Sequence, residues 1–272
     1  MTSFSNDPHA MTPTAFFRLR RLQWTGVLAA VAAVTVGAGI LTEFSPVDMV
    51  TALPAVAVWM ADNLVPNAKA IERLPRILTV LWETVLMSIM ASTVAAVFAL
   101  PVALLGSRTT MLGGFSATLA RGVASINRNI PVAAWALIFL LSFGQSSFTG
   151  FLALFAASFG FLTRMFIETI DETSAASVEA LRATGANWFH VVAQAVLPAS
   201  LPQMTSWELF IVETNIRSAT LVGLLTGSGI GFLFDVYYKS LQYESAALVT
   251  IALVVVVLGI EVLSNAVRRR IL

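Results

Sequence analysis

Residues 179–198 read EALRATGANWFHVVAQAVLP. The stretch lies between two long apolar segments, yet it is mixed and partly polar. Glu179-Ala180 opens it, Gly185 follows six positions after the glutamate, and Leu197-Pro198 closes an amphipathic run. Gly185 stands where a residue without a Cβ could take positive φ and let two short helices turn. Glu179 can steady such a turn by a hydrogen bond or by meeting Arg182. Taken alone, the stretch is also compatible with an ordinary amphipathic loop helix stopped by a glycine and broken by a proline.

The surroundings are those of a membrane protein. Apolar residues make up 57% of the chain and charged residues 11%, against about 25% charged in soluble domains. The chain has no cysteine, which excludes disulfides and thiolate metal sites. A net charge of +1 gives no sign of nucleic-acid binding.

A helix that crosses a bilayer needs about 20 mostly apolar residues. Six candidates follow, at about 24–41, 77–105, 119–143, 148–167, 204–225 and 246–267. The third is interrupted by Asn127-Arg128-Asn129 and Pro131. The expected fold is therefore all-α and polytopic, with a polar segment at 1–23, mobile over its first 15 residues, and a membrane domain over 24–272. Residues 49–60 are apolar enough for a short helix along the outer interface, but too short for a seventh crossing.

The arginines set the orientation. Arg18, Arg20, Arg21, Arg108, Arg182 and Arg268–Arg270 fall on one side if the chain crosses six times. Both termini and the 179–198 loop are then expected in the cytoplasm. The apolar run after Arg21 is longer than a signal peptide's core and lacks a clean small-residue cleavage site, so it reads as an uncleaved first span.

Charges inside the spans cost about 2.5–3.5 kcal/mol at a helix centre on insertion scales and face the interior or a partner. Glu213 and Arg217 are four apart and share one helical face. They either line a translocation path or its gate, or form an internal ion pair that fixes packing. Glu208, beside Trp207, is expected near the cytoplasmic interface. Arg121 and Arg128 are two turns apart. Arg128 precedes Ile130-Pro131, where the backbone is expected to kink or unwind, a geometry tolerated at membrane depth only against protein or water. Arg128 is thus either a charge in a pathway or part of a polar break in a bent helix.

Gly223 to Gly231 carries G-x-G-x-G spacing with no strand before it, which is not a dinucleotide signature. It suggests a tight turn or re-entrant segment where helices approach closely. No phosphate-binding Gly-Lys-Ser/Thr exists, because the only lysines, Lys69 and Lys239, follow Ala68 and Tyr238. The two histidines, His9 and His190, are far apart. Neither a catalytic residue nor a cofactor or metal site is expected.

Over about residues 75–267 the chain resembles the permease subunits of type I binding-protein-dependent ABC importers. The 179–198 stretch resembles their cytoplasmic coupling loop, with Leu181 in place of the usual third-position alanine and Ala195 in place of an isoleucine. Glu213-Thr-Asn-Ile-Arg217-Ser-Ala-Thr-Leu and Ile126-Asn-Arg-Asn-Ile-Pro131 are similar to the phosphonate/phosphite uptake branch. The glycine run departs from that branch at Thr226 and Ser228. The resemblance implies a homodimer with its pathway on the two-fold axis; the glycine run and the Glu213–Arg217 face are then expected near that axis, since one subunit alone would leave the ion pair facing lipid. It also implies separate ATPase subunits docked on the coupling loop at Glu179, Ala180, Arg182, Gly185, Leu197 and Pro198, and an extracytoplasmic binding protein. Arg128, Glu213 and Arg217 would line the pathway or gate for a phosphonate, phosphite or related oxyanion. Permeases for methionine, polyamines or glycine betaine share the plan, and a channel without an ATPase is the rival outside it.

Overall fold

The computed structural model describes residues 13–271. Positions 1–12 of the expected N-terminal segment lie outside the described residues. Every regular element among those described is helical. The chain divides into two compact units, one ending at Ala61 and one beginning at Asp62.

The first unit holds α1 (Pro13–Leu41) and all but the last two residues of α2 (Pro46–Asn63). α1 carries the first apolar run and begins upstream of Arg18. α2 covers the stretch expected at 49–60, with Asp48 in its first turn and Pro54 inside it.

The second unit begins with α3 (Ala68–Glu72) and α4 (Leu74–Gly106) and continues with α5 (Gly114–Asn129), α6 (Val132–Phe143) and α7 (Ser147–Thr173). The coupling-type stretch follows as α8 (Ala175–Ala183) and α9 (Trp188–Val191). A π turn, Val192–Val196, then leads into α10 (Leu197–Thr226), α11 (Gly229–Lys239) and α12 (Tyr243–Ile271). Among the described residues five helices are long and apolar enough to cross a membrane. A sixth crossing exists only if α5 and α6 count as one span, and they meet at 93°.

That bend has a local cause. The side chain of a proline pushes the preceding residue out of helical geometry, and Ile130 is extended at φ −91, ψ 118 before Pro131 at φ −59, ψ 147. The interruption expected at 127–131 is therefore a full right-angle corner rather than a kink.

α4 and α7 form the spine, and small residues set its spacing. Ala91, Ala136, Ala153 and Ala219 bring α4, α6, α7 and α10 together in one fully buried cluster. In lipid, where apolar burial gives helices no preference for one another, such small residues let backbones approach and dispersion hold them. A second cluster, including Leu162, Phe166, Ile170, Val178, Val191 and Val196, ties the loop end of α7 to α8, α9 and the π turn.

The glycine run makes a turn inside the chain. Gly227 and Gly229 take φ +66 and +61, and the Ile230 amide donates to Thr84 Oγ1 of α4 at 3.0 Å. A Cβ on Gly231 would stand 1.8 Å from the Thr220 carbonyl oxygen, and one on Gly223 would stand 2.3 Å from that of Ser228. The close approach expected of these glycines is thus between α10 and α11 of the same chain.

Candidate functional site

The loop at 179–198 folds from strong local signals. The Gly185 amide donates to the Arg182 carbonyl at 2.9 Å, and Gly185 takes φ +82, which ends α8 and turns the chain. Asn187 then caps α9, its Oδ1 accepting the His190 amide at 3.0 Å. Such caps contribute about 0.5–2 kcal/mol. Val178 and Val191 are buried beneath the two helices, while Glu179, Ala180 and Arg182 lie on the exposed side. Phe189 is 75% exposed, a large apolar side chain at the tip of a polar loop.

Two details differ from expectation. Arg182 does not meet Glu179: its Nη2 donates to the Thr109 carbonyl at 2.8 Å, in the turn between α4 and α5. Leu197-Pro198 does not close a separate helix either. The Leu197 amide donates to the Val192 carbonyl, a wider π-type bond, and Pro198 then enters α10 in its first turn, where a missing N–H is tolerated. The second short helix is therefore continuous with the fifth span, from Trp188 to Thr226.

Within the spans, Arg217 donates to Glu213 Oε1 at 2.5 Å, the pair expected from their spacing. A third member joins it from α12: Arg268 Nη2 lies 3.9 Å from Glu213 Oε2. In sequence, Arg268 marks only the cytoplasmic side. α12 starts beside Arg73, whose guanidinium bonds Gln242 and Ser245. Arg268 lies about 38 Å along the axis from that start, beyond the roughly 30 Å of a hydrocarbon core. Arg268 therefore approaches Glu213 from the end of the bundle that carries the basic C-terminal turn and the 179–198 loop.

Glu208, on the loop side of Glu213 along α10, is half-buried. Its carboxyl oxygens are buried beside the hydroxyl-bearing Ser92 and Thr93 of α4. It borders an apolar recess of about 260 Å³ lined by Ala96, Val97, Leu100 and Leu201.

Arg128 occupies the last turn of α5. It is exposed and makes no hydrogen bond or ion pair among the described residues. The backbone at Asn127–Arg128 crosses α7 directly over Gly160. On the other flank of α7, Ser158 accepts a buried 2.7 Å hydrogen bond from Asn215 of α10. Gly160 and Ser158 are two residues apart and so point about 200° apart. Arg128 and the Glu213–Arg217 pair thus lie at similar depth on opposite sides of α7, and one chain does not bring them together. Among the described residues no three His, Asp or Glu side chains converge as they would around a metal ion.

A helical bundle with apolar helices long enough to cross a membrane and a glycine-turned, exposed loop at one end is the architecture of a polytopic membrane protein. The profile of the family "Binding-protein-dependent transport system inner membrane component" matches residues 97–272, and the chain belongs to that family. It is a multi-pass protein of the cell membrane.

Among curated relatives, the phosphate-import permease PhnE of Mycolicibacterium smegmatis is 31% identical over 187 residues, 69% of this chain and 35% of that protein. The chain therefore spans about a third of the length of that relative. The phosphite transport system permease PtxC of Stutzerimonas stutzeri is 29% identical over 221 residues, 81% of this chain and 79% of that protein. The fold is shared with a chain of the MetNI methionine ABC transporter in an inward-facing conformation, at TM-score 0.64 and 21% identity, covering 72% of this chain and 96% of that one.

Proposed function

We propose that the chain is the membrane-spanning permease of an ATP-driven importer that carries a phosphonate, phosphite or related oxyanion. The observation that carries this reading is the joint occurrence of two features. One is similarity to a phosphite permease over most of both chains. The other is a pair of half- or fully exposed arginines, Arg128 and Arg217, in a bundle otherwise poor in charge. An intramembrane cation is costly unless it meets protein, water or an anion, and a dianionic ligand supplies what neither arginine fully has within one chain.

In this reading the chain pairs with a second permease subunit, a copy of itself or a homologue, so that Arg128 and Arg217 of both subunits face one pathway. Separate ATPase subunits bind the 179–198 loop on the cytoplasmic side, with Phe189 as an apolar anchor. An extracytoplasmic binding protein delivers the ligand to the opposite end. ATP hydrolysis belongs to the partner, and the permease contributes no reacting group.

The test is reconstitution of the chain with its ATPase and binding protein in proteoliposomes. ATP-dependent uptake of phosphite or methylphosphonate is expected. Uptake of methionine or a polyamine with neither oxyanion transported would overturn the ligand class. Uptake without any ATPase would overturn the importer reading.

A further inference from the structure

Donors and acceptors from four helices converge on the short turn between α4 and α5. Asp171, near the end of α7, accepts from the Ser107 hydroxyl at 2.5 Å, the Thr109 amide at 3.2 Å and the Thr109 hydroxyl at 3.0 Å. Arg182 of α8 donates to the Thr109 carbonyl at 2.8 Å, and the Trp188 indole N–H of α9 donates to the Thr110 carbonyl at 2.8 Å. From the other side, Arg121 Nε of α5 donates to the Gly106 carbonyl at 2.7 Å. Ser107 and Thr110 are fully buried.

The carbonyls at the end of a helix need donors, and water can supply them at an exposed turn. Here Arg121 of α5 serves the last carbonyl of α4, at Gly106, and the turn carbonyls of Thr109 and Thr110 beyond it take one donor from each short helix on the two sides of the Gly185 turn. The neighbouring aromatic residues divide their work. Trp188 points inward to this turn and is half-buried, whereas Phe189 is 75% exposed. A turn bonded to both α8 and α9 cannot slide past them without breaking both hydrogen bonds. Beyond it the chain enters α5 at Gly114, crosses α7 over Gly160 and ends at Arg128 and the right-angle corner.

We propose that Arg182 and Trp188 are positioning residues that clamp the Ser107–Thr110 turn to the loop at 179–198, so that a displacement of the loop is passed into α5 and to Arg128. This rests on the reading of that loop as the ATPase contact. It assigns Arg182 an inward role, distinct from the docking surface in which its exposure would place it. Asp171 anchors the same turn to α7, and so the loop, the turn and the end of α7 move as one body.

The experiment uses the full complex of permease, ATPase and binding protein in proteoliposomes, with phosphite as the transported probe. Combined Arg182→Ala and Trp188→Phe remove both donors and keep most of the indole's packing, and transport is read per ATP hydrolysed by the ATPase that stays bound. Phosphite moved per ATP hydrolysed should fall at least fivefold. An unchanged ratio would overturn the proposal, and so would loss of ATPase retention, because the two side chains would then belong to the docking surface. A second readout needs no ligand. Spin labels on Thr109→Cys and Ala183→Cys should keep one distance between the nucleotide-free and ATP-trapped complexes, and a shift on trapping would overturn the single-body claim. Failure of the wild-type chain to retain any ATPase is a different outcome, which would sink the reading of 179–198 itself.

Discussion

Gly160 lies directly under Asn127: a Cβ built on it would stand 2.5 Å from Asn127 Cβ and 2.7 Å from the Arg128 amide nitrogen. Two helices thus meet almost backbone to backbone, and the absence of a side chain on α7 sets how closely α5 crosses it. The depth of Arg128 depends on this crossing.

Gly160→Ala should therefore force α5 away from α7 and destabilise the protein by about 1–3 kcal/mol, the usual cost of overpacking. Gly122 on α5 is the control, since a Cβ there meets nothing within 4 Å. Gly122→Ala should be neutral or stabilising by up to about 1 kcal/mol, from helix propensity alone. Thermal unfolding of both variants in detergent decides, and equal midpoints would contradict the close crossing.

What the sequence made legible followed from local signals. The long apolar runs reported the spans, Pro131 reported the break, and Gly185 with Asn187 reported the loop, because each acts within one or two helical turns. What stayed hidden was tertiary. Gly160 looks like any glycine in an apolar helix, and nothing near it in sequence announces Asn127. Arg268 read as a marker of sidedness, because its contact with Glu213 spans two helices. Pro198 looked like a stop, and only the π turn at 192–196 shows how the helix runs through it. The exposed Glu83 and Glu261, on α4 and α12, also escaped notice inside strongly apolar spans.

The Glu213 cluster predicts an order of effects. Glu213 is the less exposed partner, at 12% against 45% for Arg217, and it faces two guanidinium groups. Glu213→Gln should therefore cost more than Arg217→Gln. About 1.5–3 kcal/mol is expected for the first, as for hydrogen bonds to charged groups, and less than about 1 kcal/mol for the second, as for a largely exposed pair. Thermal midpoints measured side by side check this, and the reverse order would argue that Arg268 does not share the carboxylate.

Arg128 separates transport from assembly. It has no hydrogen-bond or ion-pair partner among the described residues, so Arg128→Ala should leave folding and ATPase retention unchanged while oxyanion uptake falls at least tenfold. Arg128→Lys, which keeps the charge but loses the planar fork suited to phosphoryl oxygens, should fall in between. Wild-type uptake by Arg128→Ala at matched expression would reduce the side chain to a polar end of a bent helix.

Gly185 gives the firmest test of the loop. Its φ of +82 belongs to a region that costs an L-residue about 1–2 kcal/mol, and no atom lies within 4 Å of a Cβ placed there. The penalty of a substitution is then in the backbone alone, and it falls on the turn that orients α8 against α9. Gly185→Ala should weaken ATPase retention. Gly185→Asn should be milder, because asparagine enters positive φ more readily. Gly185→Asp places a charge on the exposed loop tip and should abolish binding-protein-stimulated hydrolysis while the protein still inserts. Pull-down of the ATPase and its hydrolysis rate, with and without binding protein, measure all three. Wild-type behaviour of Gly185→Asp in both assays would remove 179–198 from the ATPase interface, and with it the basis for coupling in this chain.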